Sequence, residues 1–442
     1  MSHITMHCGE LWHTPRAPHP WRQDPEAFAA TPDGALVVDP HGTILAVGDA
    51  KTLAVKFRDV KRIDHDGVIV PGFVDAHLHF PQIDIIGCHG EQLLGWLDKH
   101  TYPAEARIVA DLDPDHLRGV ADRFVTELLA NGTTTSVAYA ASSELSADAL
   151  FSACDQRGVR AVVGKVSMDR EAPAALCQDV AVDRAANERL IERWHGRDGR
   201  LFVAVTPRFA VSCSPALLQS LGELCKQEPT LYVQTHYAES QGELAAVKRL
   251  FPDARDYLAV YERYGLVGQR TLLGHGIHVS PGERERLRQR QVRLVHCPTS
   301  NLFLGSGLMP VTDYVDWGIP LALGTDVGAG TSFSMLATMR AAYGVQQLRG
   351  WSLSPAYLLY LATLAGAEAL GLGDRLGSFA AGKQADFQVI NERKSRLLAA
   401  RPTGVSDAAA RLFAWTTLGD DRLVERVYVG GRQVWGAAVS NH

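Results

Sequence analysis

Val68-Ile-Val-Pro-Gly-Phe-Val-Asp-Ala-His77 is a long apolar run that ends on polar side chains. Such a run reads as a strand buried on both faces, the kind that builds parallel sheets. Working outward, seven further apolar runs follow, at residues 133–139, 159–166, 200–208, 231–236, 271–275, 292–296 and 319–326. Helical patterns lie between them, at 116–129, 147–156, 184–194, 215–226, 241–264, 283–290 and 311–317, and two more near 332–348 and 354–370 close the series. Regular alternation of strand and helix implies a parallel sheet. Eight repeats are the count of a (β/α)8 barrel, a TIM-like fold. An open doubly wound sheet is the competing arrangement, but no G-x-G-x-x-G follows the first strand.

The two ends of the chain read differently. Residues 35–39 and 43–48 flank the turn cluster Asp39-Pro-His-Gly42, a hairpin pattern. Residues 385–390 read as a strand, and 423–429 with 432–435 bracket Gly430-Gly431, a second hairpin signal. Both β-rich ends adjoin the barrel, so they are expected to fold together. The expected organisation is a composite β-sandwich domain from 1–70 and 376–442, and a barrel domain from 71–375.

A chain of 442 residues with 46% hydrophobic and 21% charged residues has a globular balance and enough length for a large core. The net charge of −5 speaks against a nucleic-acid scaffold. No run of about 18 apolar residues is present, so no membrane span is expected. The first residues carry no basic segment followed by an apolar one, so no secretory signal is expected. The seven cysteines are odd in number and none forms C-x-x-C. That is neither a disulfide framework nor a cysteine zinc ribbon, and it suits a reducing cytoplasm.

Histidines number 17. His77 and His79 are two apart, so on a strand they share one face and can chelate one metal. Alone the pair is weak evidence, because this histidine content yields roughly 0.65 such pairs by chance. Placement strengthens it. His236, His275, His296 and Asp326 each close a later expected strand. In this barrel catalytic residues cluster at the C-terminal strand ends, and buried polar groups there need a partner or a metal. Imidazole nitrogens with a carboxylate suit zinc, with water completing the set.

His278 reads as a loop residue, His296 as packing or loop support, and Cys297 as a small buried thiol. Glu239, three residues past His236, reads either as a proton carrier beside the metal or as an acid opening the helix at 241. Gln82, Arg208 and Phe209 converge on the same strand ends. An amide, a guanidinium and an aromatic ring together suggest a flat heterocycle with an exocyclic oxygen. Residues 83–113, with Gly87, Gly90 and Gly95, are a candidate lid.

Pro71-Gly-Phe-Val-Asp-Ala-His-Leu-His79, the separate His236, His275 and Asp326, and Gly377-Ser-Phe-Ala-Ala-Gly-Lys-Gln-Ala-Asp386 resemble the metal-dependent amidohydrolase superfamily. The finer resemblance is to the guanine deaminase family. It is carried by His79-Phe-Pro-Gln82, Thr206-Pro-Arg-Phe209, the run His296-Cys-Pro-Thr-Ser-Asn through Leu308, and Gly324-Thr-Asp-Val-Gly-Ala-Gly through Leu336. It extends from about residue 9 to 435.

The resemblance implies one Zn2+ per subunit held by His77, His79, His236 and Asp326, with iron as the alternative metal. It implies His275 polarising the attacking water, Glu239 shuttling protons, Asp326 accepting one, and Gln82, Arg208 and Phe209 binding the purine. It implies hydrolysis of guanine to xanthine and ammonia by a cytoplasmic homodimer, without nucleic-acid or membrane partners. The segment His236-Tyr-Ala-Glu-Ser240 departs from the family's usual His-Leu-Ser-Glu-Asn, which puts fine substrate preference at issue through Tyr237 and Ser240. The competing readings are a hydrolase of 8-oxoguanine, a pterin or a triazine, and a catalytically silent scaffold. The intact set of acids and histidines argues against silence. A second deaminase architecture requires P-C-x-x-C, which this chain lacks.

Overall fold

The computed structural model describes residues 4–90, 92–401 and 407–437. The chain forms two compact units, one of residues 1–74, 126–135 and 334–442, the other of 75–125 and 136–333.

The terminal segments form one seven-stranded sheet. Its strands are β1 (Thr5–His13), β2 (Ala29–Val38), β3 (Ile44–Asp49), β4 (Lys61–Pro71), β14 (Phe387–Ile390), β15 (Val424–Val429) and β16 (Arg432–Trp435), in the order β16-β15-β14-β4-β1-β2-β3. The β1–β4 pair is parallel and the others are antiparallel. Both expected hairpins are present, and Gly430 and Gly431 take the positive φ values, 53° and 69°, that a two-residue turn requires. Period-2 alternation gives the sheet two apolar faces. Leu36, Val38, Ile69 and Val389 pack in one cluster, while Ala35 and Val37 pack with Met6, Ala50 and Leu53 in another. The expected two-layer sandwich thus takes the form of one sheet clad on both sides.

The barrel sheet runs β5 (Phe73–His79), β6 (Thr133–Tyr139), β7 (Arg160–Gly164), β9 (Leu201–Pro207), β10 (Tyr232–Tyr237), β11 (Thr271–His275), β12 (Arg293–His296) and β13 (Leu321–Leu323), with the two-residue β8 (Val166–Ser167) on β9. Its pairs β7–β9, β9–β10, β10–β11, β11–β12 and β12–β13 are parallel. All seven residues of β6 are buried, as are all of β5 and β11. This explains why these strands read as apolar runs instead of alternating. At the C-terminal end the ring closes. Asp75 accepts from the Thr325 N–H (3.0 Å), and the Asp326 N–H donates to the His77 carbonyl (2.8 Å).

The run at 68–77, expected as one strand, is two. It divides at Gly72 between β4 and β5, which belong to different sheets. Pro71 offers no donor to extend the ladder. A Cβ at Gly72 would stand 2.1 Å from Thr134 Oγ1, so only glycine passes there. The segment expected as a lid holds short helices, Phe80–Ile85, Leu93–Trp96, Leu97–Thr101 and Tyr102–Ala110.

Candidate active site at the strand ends

β5 ends on His77 and His79, whose side chains share a face, and β10 and β11 deliver His236 and His275. Asp326 lies three residues past β13, and Arg208 and Phe209 follow β9 directly. His275 and Asp326 hold positive φ values of 72° and 54°. Side chains other than glycine adopt that region at a cost, a kind of strain that concentrates at functional sites.

The ligating atoms of His77, His79, His236 and Asp326 all lie within 4.8 Å of one another. Asp326 Oδ1 is 3.3 Å from His77 Nε2 and 3.1 Å from His79 Nε2. His79 Nε2 faces His236 Nε2 at 3.2 Å. The His236 Nδ1–H donates to the Arg208 carbonyl (2.7 Å), which leaves its Nε2 with a lone pair aimed inward. Among the described residues the buried His77 Nε2 has no hydrogen-bond partner. Convergent lone pairs beside a carboxylate repel one another without a cation between them. Three imidazoles and one carboxylate are the donor chemistry of a catalytic zinc site, so the residues fit such an ion.

Burial lowers His79 to about 4 and His236 well below its ordinary value, so both rings are neutral, as ligands must be. Burial pushes the Asp326 carboxyl up, but its contacts with His77 and His79 outweigh that and hold it well below the carboxylate range. A second grouping substitutes His275 and Cys297. Burial pushes the Cys297 thiol far up and its Sγ sits 3.6 Å from the Val295 carbonyl, which fits the packed thiol read from the sequence.

Glu239 is not the helix cap. Ser240 caps helix Gln241–Leu250, in a reciprocal capping box with Glu243. The Glu239 side chain turns inward instead. Its Oε1 accepts from Ser306 Oγ (2.8 Å) and its Oε2 is 3.4 Å from His275 Nε2. Burial and the neighbouring Asp326 carboxylate raise its pKa to about 8. His275 Nδ1–H donates to Asn301 Oδ1 (2.9 Å), directing Nε2 toward Glu239 and Asp326 Oδ2, 3.8 Å away.

Gln82, Arg208, Phe209 and Trp96 line a cleft beside this cluster, and Leu93, Leu97 and Thr101 from the covering segment join them. Glu105, which the sequence did not single out, ion-pairs with Arg208 (2.6 Å) and accepts from Gln82. Asn301 and Ser306 were likewise missed. All three lie far in sequence from the side chains they serve. His278 is a loop residue bonded to Gln241 and the Ser306 carbonyl. His296 is buried with neither ring nitrogen hydrogen-bonded among the described residues, and it packs. Tyr237 donates to Glu283 and Ser240 caps its helix, so neither lines the cleft, contrary to the expectation from their sequence departure.

A cluster of this kind at the mouth of a parallel eight-stranded barrel defines a hydrolase of the metal-dependent type, and a model of the amidohydrolase family matches residues 68–434. Guanine deaminase of Escherichia coli is 42% identical over 405 residues, covering 91% of each chain. Its solved structure superposes with a TM-score of 0.93 over 98% of this chain and 99% of that one, at 38% identity. Guanine deaminase from C. acetobutylicum, solved with bound guanine, gives 0.88 at 31% identity over 98% and 100%. An adenosine deaminase from Xanthomonas campestris, solved with bound zinc, gives 0.82 at 27% identity over 97% and 92%. The chain belongs to the guanine deaminase family of the amidohydrolases.

Proposed function

We propose that this chain hydrolyses guanine to xanthine and ammonia, with one zinc ion per subunit held by His77, His79, His236 and Asp326. The convergence of those four side chains within 4.8 Å, beside a cleft lined by Gln82, Arg208 and Phe209, is the observation that carries the reading. When bound, zinc supplies Lewis-acid activation of the attacking water.

The chain's own residues do the rest. Phe209 offers a ring face to the flat base, and Arg208 and Gln82 offer N–H groups to its edge. Asp326 Oδ1 is turned to the histidines, so Oδ2 accepts the proton that the water gives up. Glu239, protonated at neutral pH by its raised pKa, delivers its proton to purine N3. Protonation there makes C2 electron-poor, and water adds to it. The C2–N bond then breaks as the proton held by Asp326 reaches the departing amine, the C2 hydroxyl gives its proton back to Glu239 to become the carbonyl, and ammonia leaves. His275, whose Nδ1–H is held by Asn301, accepts a hydrogen bond from the attacking water at Nε2.

The reading extends to a cytoplasmic homodimer, to a catalytic barrel domain at 71–375 and to a terminal domain from 1–70 and 376–442. Seven free cysteines are in keeping with a reducing compartment, and no helix among the described residues is long and apolar enough to cross a membrane. Ammonia release from guanine, 8-oxoguanine and adenine, measured with metal content, tests the proposal. Guanine is expected to be the preferred substrate by a wide margin. Release from 8-oxoguanine alone would move the assignment to that heterocycle, and no release from any substrate by zinc-loaded protein would favour the scaffold.

A further inference from the structure

Glu105 sits in helix Tyr102–Ala110 and is 1% exposed. Its Oε1 accepts from Gln82 Nε2 (2.9 Å) and from Arg208 Nη1 (2.8 Å), and its Oε2 accepts from Nη1 again (2.6 Å). A carboxylate can only accept, so Gln82 must turn its amide nitrogen toward Glu105. The other end of the amide obeys the same rule, because the Gly328 N–H donates to Gln82 Oε1 (3.2 Å). Gln82 is therefore held in one orientation from both ends, with its amide nitrogen fixed toward Glu105 and one lone pair of its oxygen taken by the main chain. The second amide hydrogen of Gln82 and the remaining guanidinium N–H groups of Arg208 are left as donors beside the cleft.

We infer that Glu105 sets the hydrogen-bond polarity of the cleft, holding Gln82 and Arg208 so that they present N–H donors and select a purine carrying an acceptor at position 6. This rests on the guanine reading above. Guanine presents its 6-oxo oxygen there, with the lone pair of N7 alongside. A 6-aminopurine would set N–H groups against N–H groups. A buried donor left without an acceptor bears its whole desolvation cost, and polar sites reject mismatched analogues by factors of about 10⁴ in this way. Glu105 touches no reacting atom, so it is a positioning residue, and its effect is on selectivity.

2,6-Diaminopurine is the probe, because it carries the same amine at C2 as guanine and differs at position 6. In both, water adds to C2, the C2–N bond breaks and ammonia leaves, so one assay reads both substrates. The measured quantity is the ratio of kcat/KM for guanine to that for 2,6-diaminopurine, in the parent, in E105Q and in E105D. Glutamine at 105 can donate as well as accept, which frees Gln82 to turn over and present its oxygen. Aspartate keeps the charge but is one methylene too short to hold both partners. The ratio is expected to fall by at least ~10-fold in E105Q and in the same direction in E105D, with zinc content equal to the parent's. A purely structural role would slow both substrates alike. An unchanged ratio in folded, zinc-loaded E105Q therefore overturns the inference, and if E105Q does not fold, the ratio in E105D decides it. A parent protein that turns over no guanine overturns the functional reading itself, and this inference with it.

Discussion

Ser306 donates its hydroxyl to Glu239 Oε1 at 2.8 Å, so the two oxygens of that carboxyl have different neighbours. Oε1 is held by Ser306, and Oε2 faces His275 Nε2 at 3.4 Å, beside the metal-type cluster. The proton that a buried glutamic acid retains near neutral pH is thereby left to Oε2, on the side of His275.

Glu239→Gln keeps the shape and removes the transferable proton. We expect it to bind zinc and guanine like the parent and to lose at least ~10²-fold in kcat, the usual scale for general acid–base catalysis. Its thermal midpoint should not fall, since Ser240 and not Glu239 caps the following helix. A stable, zinc-loaded variant working at the parental rate would remove Glu239 from the chemistry.

The proposed mechanism uses the acid form of Glu239, whose pKa is raised to about 8. It is protonated below that value and ionised above it. Guanine turnover should accordingly decline as pH rises through about 8. The same group binds its proton more tightly folded than unfolded, so its contribution to stability is lost progressively as pH rises from 4.5 to about 8. A kcat/KM profile flat to pH 9.5 or so would contradict this role.

Removal of metal by prolonged chelation should abolish turnover, and added zinc should restore it. Asp326→Ala should stay inactive even in excess zinc, because the carboxylate that faces His77 and His79 is also the proposed proton acceptor. Full activity in a preparation shown to be free of metal would sink the mechanism.

Arg208→Ala should reduce guanine turnover strongly and leave the metal site intact, because His236 is held by the Arg208 backbone carbonyl and not its side chain. The structure adds a cost that the substrate argument alone would miss. The variant leaves Glu105 a buried carboxylate without its countercharge, held only by Gln82, a change that destabilises by about 3–5 kcal/mol. Calorimetry and zinc content together check this, and adenine should remain a very poor substrate of the parent. A thermal midpoint equal to the parent's would argue against the ion pair.

In the terminal sheet, His7 Nδ1 and His65 Nε2 lie 3.1 Å apart, with their rings stacked beside Phe387 and Tyr428. Burial lowers His7 to about 3 and His65 to about 4. Unfolded, both would titrate near 6.5, so below that pH the unfolded chain binds the extra protons. Their stability contribution is complete above 6.5 and is lost as pH falls toward 4, at up to ~1.4 kcal/mol per pH unit for each ring. Thermal midpoints between pH 7 and pH 4.5, compared with those of His7→Gln, should show the slope lessened in the variant.

The barrel was legible because its strands are buried on both faces and its helices on one, and each condition leaves a local period in the sequence. His77 and His79 were legible for the same reason, since two residues apart on a strand means one face. The capping box was also written locally, as Ser240-Gln-Gly-Glu243, and it separates the two readings of Glu239. The division at Gly72 was not legible. Apolar character continues through it, and only the close approach of Thr134 requires the break.

By itself, the sequence determined which residue types stand at the strand ends, and hence a metal-type cluster on a barrel. The tertiary structure alone decided their partners. Glu105 meets Arg208 across 103 positions, Ser306 meets Glu239 across 67, and Asn301 meets His275 across 26. Such pairs leave no period in the chain, because they form between side chains that the closing of the barrel carries to one place. The propensities that write a strand or a helix act over a few residues. The burial that orders a carboxylate, an amide and a guanidinium around one cleft acts through space.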